Sequence, residues 1–352
     1  MNKLTEWWVN YQALSEQELD IINQHCPYDN RLEDKARWDK AEYKMKSMVP
    51  LSDTLKGHQL YIAENATSFI NYLFSKHLDN NTLLVTSTVE HDSVRKAVKE
   101  HNRENNDHVC LRYTKCIDSL NISKVAEAIQ SKKYTKVFVY IIGTQITTGE
   151  ITSQKFYEKL KSYIESQGLE AVMVIDDVHG LFLLPRDYSI FDYVICTAHA
   201  LIRCWDMGIM FSKTPETYGS KYYNWLETYN DLLNLMLSKS NKLACFSNIM
   251  KEEFIEYLSN PYIELIPDSV SHIFSLKVYC KPKLAYTQEL WQEFADNEVR
   301  LETASYVNDD VFYIRMRASQ FITFPEMLSN AIPLIKELLN HIIELKELLG
   351  NE

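Results

Sequence analysis

The chain has 352 residues, 46% of them hydrophobic, with 37 Lys and Arg against 48 Asp and Glu and a formal net charge of -11. That length exceeds what one core usually fills, so a large domain with a smaller companion is expected, and the acidic balance argues against a phosphate-backbone partner such as DNA or RNA. No apolar run approaches the ~20 residues of a membrane helix, and residues 1–10 lack the apolar stretch of a signal peptide, so a cytoplasmic protein with no membrane partner is expected.

Residues 1–44 are polar and tryptophan-bearing, with helix-like stretches at Glu16–Gln24 and Asp34–Ser47 and a turn at Pro27–Asn30, and they read as an N-terminal helical arm. Residues 45–240 read as the large domain, in which short apolar runs alternate with polar helical windows to about residue 210. Leu83–Thr86, Val109–Tyr113, Val137–Ile142, Ala171–Ile175, Tyr193–Cys196 and Ile209–Phe211 read as strands, and Ala66–His77, Ser93–Asn102, Ser123–Ser131 and Gln154–Gln167 as helices. Such alternation predicts an α/β fold, a mostly parallel sheet covered by helices on both faces, with ligands at the carboxyl ends of the strands. Long helices then fill 215–260. After Pro261 come a strand (Val270–Tyr279), a helix (Tyr286–Asp296), two strands (Val299–Thr303, Val311–Arg317) and a terminal helix (Pro325–Leu349), so residues 241–352 form a smaller α+β domain.

With eight glycines the chain has no Gly-x-Gly-x-x-Gly and no Gly-Lys-Ser/Thr loop, which counts against dehydrogenase and ATPase readings. The seven cysteines include no Cys-x-x-Cys pair, which fits reduced core thiols better than disulfides or zinc.

Five clusters fall at strand ends or helix starts. Asn65-Ala66-Thr67-Ser68 precedes a helix whose free N–H groups suit an anion, although Asn is equally an ordinary N-cap. Glu90-His91-Asp92-Ser93 opens the next helix, where His91 either stacks on an aromatic ligand or caps. Thr148-Gly149 forms a turn. Asp176-Asp177-Val178-His179 ends an apolar strand, and a carboxylate delivered there is costly unless it meets a cation or donors; no further ligands at a helpful spacing support a metal. Thr197-Ala198-His199-Ala200 follows another strand, and Arg315 and Arg317 end a strand near the C-terminus, where an arginine fork suits a carboxylate and a surface ion pair is the plainer alternative.

Taken in order, these segments resemble pyridoxal-phosphate enzymes of fold type I, the class V aminotransferase family that includes isopenicillin N epimerase-like proteins and cysteine desulfurases. The resemblance covers about residues 45–349. It implies that Asn65, Ala66, Thr67, Thr197 and His199 surround the cofactor phosphate, that His91 stacks on the ring, that Thr148 sits in the Thr-Gly turn, that Asp176, followed by His179, meets the ring nitrogen, and that Arg315 binds the substrate carboxylate, with Phe321 and Thr323 in frame. Arg317 falls where the family often has Ser. The family's Schiff-base lysine is replaced by Ala200, which removes the covalent anchor and general base and implies near-inactivity. A lysine-to-alanine variant explains the retained neighbours; a natural pseudoenzyme that binds the cofactor or its adduct without catalysis is the alternative. Cys280, the one cysteine in the second domain, lacks the small flexible flanks a desulfurase loop wants, which leaves aminotransferase, epimerase or β-lyase chemistry on an amino acid. The resemblance further implies a homodimer, with Tyr218–Tyr229 and the Trp7–Trp8 arm as expected contacts.

Overall fold

The computed structural model describes residues 17, 20–21, 35–102, 108–111, 122–131, 134–197, 207–219, 223–238, 240–265, 273–297, 299–303, 310–318 and 325–349. They divide into two compact units, Met1–Gln145 with Ile151–Leu237, and Ile146–Glu150 with Ser238–Glu352. The sequence-based boundaries, 45–240 and 241–352, keep residues 146–150 in the large domain; the contacts of that segment put it in the second unit.

In the first unit, β1 (Gln59–Ala63), β2 (Thr82–Ser87), β3 (His108–Leu111), β4 (Lys136–Ile142), β5 (Glu170–Asp176), β6 (Tyr193–Thr197) and β7 (Gly208–Ser212) form one sheet in the order β1-β7-β6-β5-β4-β2-β3. Strands β2 to β6 run parallel, and β7 pairs antiparallel with both β6 and β1. Strands β4 and β5 are continuous apolar runs because both of their faces are covered. Helices α2 (Ala66–His77) and α3 (Asp92–Asn102) cover one face, where Phe69, Leu73, Phe74 and Val94 meet Phe138, Tyr140, Val172 and Val174. The opposite face carries α1 (Lys35–Ser47), α4 (Ile122–Ser131), α5 (Gln154–Ser166) and α6 (Tyr223–Leu237), which pack Met45, Val125, Leu160 and Leu233 against Val137, Val139, Met173 and Ile175.

Helix α1 lies at the end of the segment expected to form the N-terminal helical arm. Its Trp38, Ala41 and Met45 lie on one stripe and are buried, and Arg37 and Lys44 pair with Glu227 and Asp231 of α6. Burial of three such side chains stabilises the contact by several kcal/mol, about 1.5–3 for each large one, which outweighs the exposed ion pairs. The rest of the expected arm, with Trp7 and Trp8, lies outside the described residues.

The second unit contains β8 (Ile263–Leu265), β9 (Ile273–Val278), β10 (Arg300–Thr303) and β11 (Phe312–Arg317), an antiparallel sheet in the order β10-β11-β9-β8, with α7 (Ser240–Glu253), α8 (Gln288–Asp296) and α9 (Pro325–Leu349). In β11, Phe312, Ile314 and Met316 alternate with Tyr313, Arg315 and Arg317, so both arginines share one face of the sheet. Among the described residues no helix is long and apolar enough to cross a membrane.

Candidate functional site

The topology gathers most of the sequence candidates at one edge of the first unit. The carboxyl ends of β1, β2, β4, β5 and β6 lie there, followed respectively by Asn65, Glu90 and His91, Gly143, Asp176 with His179, and Thr197. After β2 the chain steps outward to β3, whereas after β4 it steps the other way to β5. The edge between β2 and β4 is therefore a topological switch point, where divergent loops leave a crevice for a ligand.

Asp176 ends β5 on the face shared with Val172 and Val174, and it is 3% exposed. Its Oδ2 accepts from the Tyr140 hydroxyl at 3.0 Å, and its Oδ1 has only the Val178 N–H at 3.4 Å. No cation pairs with it among the described residues. Burial raises its pKa to about 6 against the opposing pull of the Tyr140 hydrogen bond. Beside it, Glu90 is buried at 3% exposure and fastened through Oε1, which accepts from Ser87 Oγ at 2.5 Å and from the Ile142 N–H at 3.1 Å. Ile142 stands directly opposite Asp176 in the β4–β5 register. Burial, with Asp176 adding repulsion, raises the Glu90 carboxyl to about 8, and the Tyr140 hydroxyl is pushed well above its ordinary range by burial and by both carboxyls.

Asp177 turns to the other face and does a different job. Its Oδ2 accepts from Tyr188 Oη at 2.6 Å and lies 3.2 Å from Arg186 Nε, with both charged groups buried. Arg186 also donates to the Thr152 and Gly143 carbonyls at 2.9 and 3.1 Å. Those two residues flank the excursion that carries 146–150, and its neck is closed by the Thr144–Ile151 bridge and by Thr152 N–H to Gly143 O at 2.9 Å. Gly143 and Gly180 wall the carboxylate; a Cβ on either would fall 2.4 or 2.2 Å from Asp177 Oδ1. This cluster is a structural brace.

Asn65 is the N-cap of α2, its Oδ1 accepting from the Ser68 N–H at 2.9 Å and from Ser68 Oγ at 3.1 Å, a cap worth about 1 kcal/mol. The plain capping role is thus realised, and the N–H groups of Ala66 and Thr67 remain in the first turn, which offers them no intrahelical acceptor. The Thr67 side chain is exposed. Gly208 pairs with both Ala63 and Thr197, and a Cβ there would meet the Asn65 carbonyl carbon and oxygen at 2.3 Å and the Ala66 nitrogen at 2.7 Å. Its missing side chain lets the start of α2 sit directly against the start of β7, whose strand partner Thr197, at the end of β6, is buried.

His91 is exposed, with Nδ1 2.8 Å from Ser93 Oγ and accepting from the Ser93 N–H at 3.3 Å, so it caps α3. His179 is 3% exposed. His199 and Ala200 lie outside the described residues, as do Phe321 and Thr323. Thr148 and Arg315 belong to the second unit. Thr148 makes a local turn, its Oγ1 donating to Glu150 Oε2 at 3.1 Å, with Gly149 at φ 76°. Arg315 is buried at 5% exposure, opposite Arg300 and Ser275, whereas Arg317 is half-buried.

The sequence assigns no role to Glu90, Tyr140 or Arg186. A lone Glu before a helix reads as solvated, and only its burial against Ser87 and the Ile142 N–H of β4 reveals that it is enclosed. For Tyr140 the period-2 alternation with Ile142 was a usable signal, since it puts the hydroxyl on the Asp176 face.

No family model matches the sequence, and no curated protein matches it. Solved structures do. A NifS-like protein from Rickettsia africae superposes with a TM-score of 0.70 at 11% identity, covering 93% of this chain and 96% of that one. A serine palmitoyltransferase from Sphingomonas wittichii gives a TM-score of 0.65 at 12% identity, covering 96% and 85%. An SPT structure containing PLP gives 0.66 at 12% identity. Identities this low carry the fold alone: the chain is a mixed α/β protein whose mostly parallel sheet is flanked by helices, the fold type I architecture of these neighbours.

Proposed function

We propose that this chain is a pyridoxal-phosphate protein of the class V aminotransferase type, built for aminotransferase, epimerase or β-lyase chemistry on an amino acid, and that Ala200 leaves it nearly inactive as written. The observation that carries the reading is Asp176, a buried carboxylate with no cationic partner among the described residues, at the switch-point edge. A protonated pyridine nitrogen supplies the cation that such a carboxylate lacks. When bound, the cofactor provides an electron sink for a carbanion at the amino-acid α-carbon.

The residues present fit that group. Tyr140 donates to Oδ2 and orients the carboxylate, leaving Oδ1, held only by the long Val178 contact, for a proton-bearing nitrogen. The start of α2, admitted close to Gly208 beside the end of β6, would offer N–H groups and a helix dipole to the phosphate, with Thr197 and, two residues on, His199. His91 would stack on the ring, His179 would stand with Asp176 in the segment that meets the cofactor, and Arg315 would bind the substrate carboxylate as a fork. Ala200 offers neither an amine anchor nor a base to move the substrate's α-proton. A pseudoenzyme that holds the cofactor without catalysis remains the second reading, resting on Ala200 alone. A cytoplasmic homodimer completes the proposal.

The test is a titration with pyridoxal phosphate, followed by the cofactor's absorbance and phosphorus resonance. Asp176→Ala is expected to weaken binding by about 10- to 100-fold, the worth of a charge-assisted hydrogen bond. Unchanged affinity refutes the assignment.

A further inference from the structure

Glu90 has no role in that reading, yet it is built into the same edge. Its Oε1 receives two donors, Ser87 Oγ and the Ile142 N–H, whereas Oε2 is buried without a hydrogen-bond partner. No cation pairs with Glu90 among the described residues. The titratable groups that act on it there are Asp176 of β5 and Tyr140 of β4, and neither brings positive charge. A bare, dry carboxylate oxygen is costly as an anion and far less so once it carries a proton. Two carboxyls fastened on either side of Ile142, past the ends of β2 and β5 that flank β4, therefore share one negative charge between them. The donors favour Asp176 as its bearer, because each of its oxygens has one, while the Glu90 anion would leave Oε2 with none.

We propose that Glu90 and Asp176 form a coupled carboxyl pair in which Glu90, protonated on Oε2, is the positioning residue that keeps Asp176 the charged member facing a bound cation. Its bond to the Ile142 N–H ties the loop after β2 to the end of β4 beside Asp176. The facing cation rests on the reading of Asp176 above; the pairing itself does not. Burial, opposed by the Ser87 hydrogen bond and aided by a smaller push from Asp176, raises the Glu90 carboxyl to about 8, and burial raises that of Asp176 to about 6, so the pair carries one proton around neutrality.

Carboxyl carbon-13 resonances of the full chain test this with and without pyridoxal phosphate. One glutamate is expected to titrate near pH 8, to vanish in Glu90→Gln, and to move to lower pH in Asp176→Asn. The absorbance of the bound cofactor is expected to show a step over the same range that Glu90→Gln removes, a pH signature that loss of a merely structural bond does not produce. If Glu90→Gln fails to fold, Ser87→Ala removes a donor to Oε1 and is expected to raise the same midpoint. The inference is overturned if every glutamate titrates in the ordinary range, if Glu90→Gln leaves the high one in place, or if Asp176→Asn does not move it. A chain that binds no cofactor sinks the functional proposal instead, and the resonances still decide the pair.

Discussion

Replacing Arg186 by Met tests the brace behind the site. The side chain is 4% exposed and pairs with Asp177, itself fully buried, so the variant strands a carboxylate whose remaining polar contact is the Tyr188 hydroxyl. Breaking a buried pair from one side costs about 3–5 kcal/mol, because an uncompensated charge is left in a dry site. The bonds to the Thr152 and Gly143 carbonyls are lost as well, so the upper end is expected. Asp177→Asn is the isosteric partner change, since the walls at Gly143 and Gly180 leave no space for a larger group. Each single variant is expected to lose several kcal/mol, and the double variant to lose less than the sum by more than ~1 kcal/mol. With a urea dependence of about 3 kcal/mol/M, Arg186→Met shifts the midpoint down by about 1–1.7 M. Hydrogen exchange of the β4 and β5 amides, read beside the urea curve, confines the measurement to the first unit. A shift under ~0.3 M, or additivity within ~0.5 kcal/mol, would refute the ion-pair brace.

Other expectations follow from the same edge. Glu90 has its carboxyl raised by burial from 4.5 to about 8 in the folded chain, so the folded state binds the extra proton and stability falls as pH rises from about 4.5 to 8. Glu90→Gln is expected to flatten that slope and to exceed the parent in stability at the alkaline end; parallel pH–stability curves contradict it. Gly208→Ala places a Cβ against the Asn65–Ala66 peptide, which is backbone and must move, at a cost of about 1–3 kcal/mol together with weaker cofactor binding. A silent substitution, in both urea midpoint and affinity, removes the close approach of α2 from the argument. Ala200→Lys, treated with pyridoxal phosphate and then borohydride, is expected to carry the cofactor's mass on a peptide containing position 200; a destabilised protein that binds only non-covalently leaves the pseudoenzyme standing. Sedimentation as a monomer at micromolar concentration counts against the homodimer.

The parts of the fold that the sequence displays are those whose local pattern agrees with their surroundings. β4 and β5 are visible as apolar runs, and α9 runs over Pro325–Leu349 as its periodicity predicts. β1, by contrast, mixes Gln59 and Tyr61 with Leu60 and Ile62, and its strand character comes from pairing with β7. The reversal of β7 is likewise set by tertiary pairing. In helix α1 charged residues dominate the mean character, and the packing stripe of Trp38, Ala41 and Met45 is visible only by position. In the site, Asp176 was legible because a carboxylate ending an apolar strand is anomalous. Glu90 was not, because what encloses it is 52 residues away at Ile142. The capping roles of Asn65 and His91 show why single motif residues carry little by themselves: the same atoms that suit a ligand also terminate a helix.

The neck at Gly143–Thr152 has a consequence for how the gene can be divided. Because residues 146–150 belong with 238–352, the chain passes between its units at 145–146, 150–151 and 237–238. A fragment beginning at 238 would lack Glu150, whose carboxyl is raised by burial against the opposing pull of the Thr148 hydrogen bond and the Lys277 cation of that unit. A fragment ending at 237 would carry those five residues with nothing of their own unit to pack on. Exchange of the second unit between related chains therefore requires two inserts joined at three junctions, and the Thr144–Ile151 bridge marks where the smaller insert can be cut and rejoined.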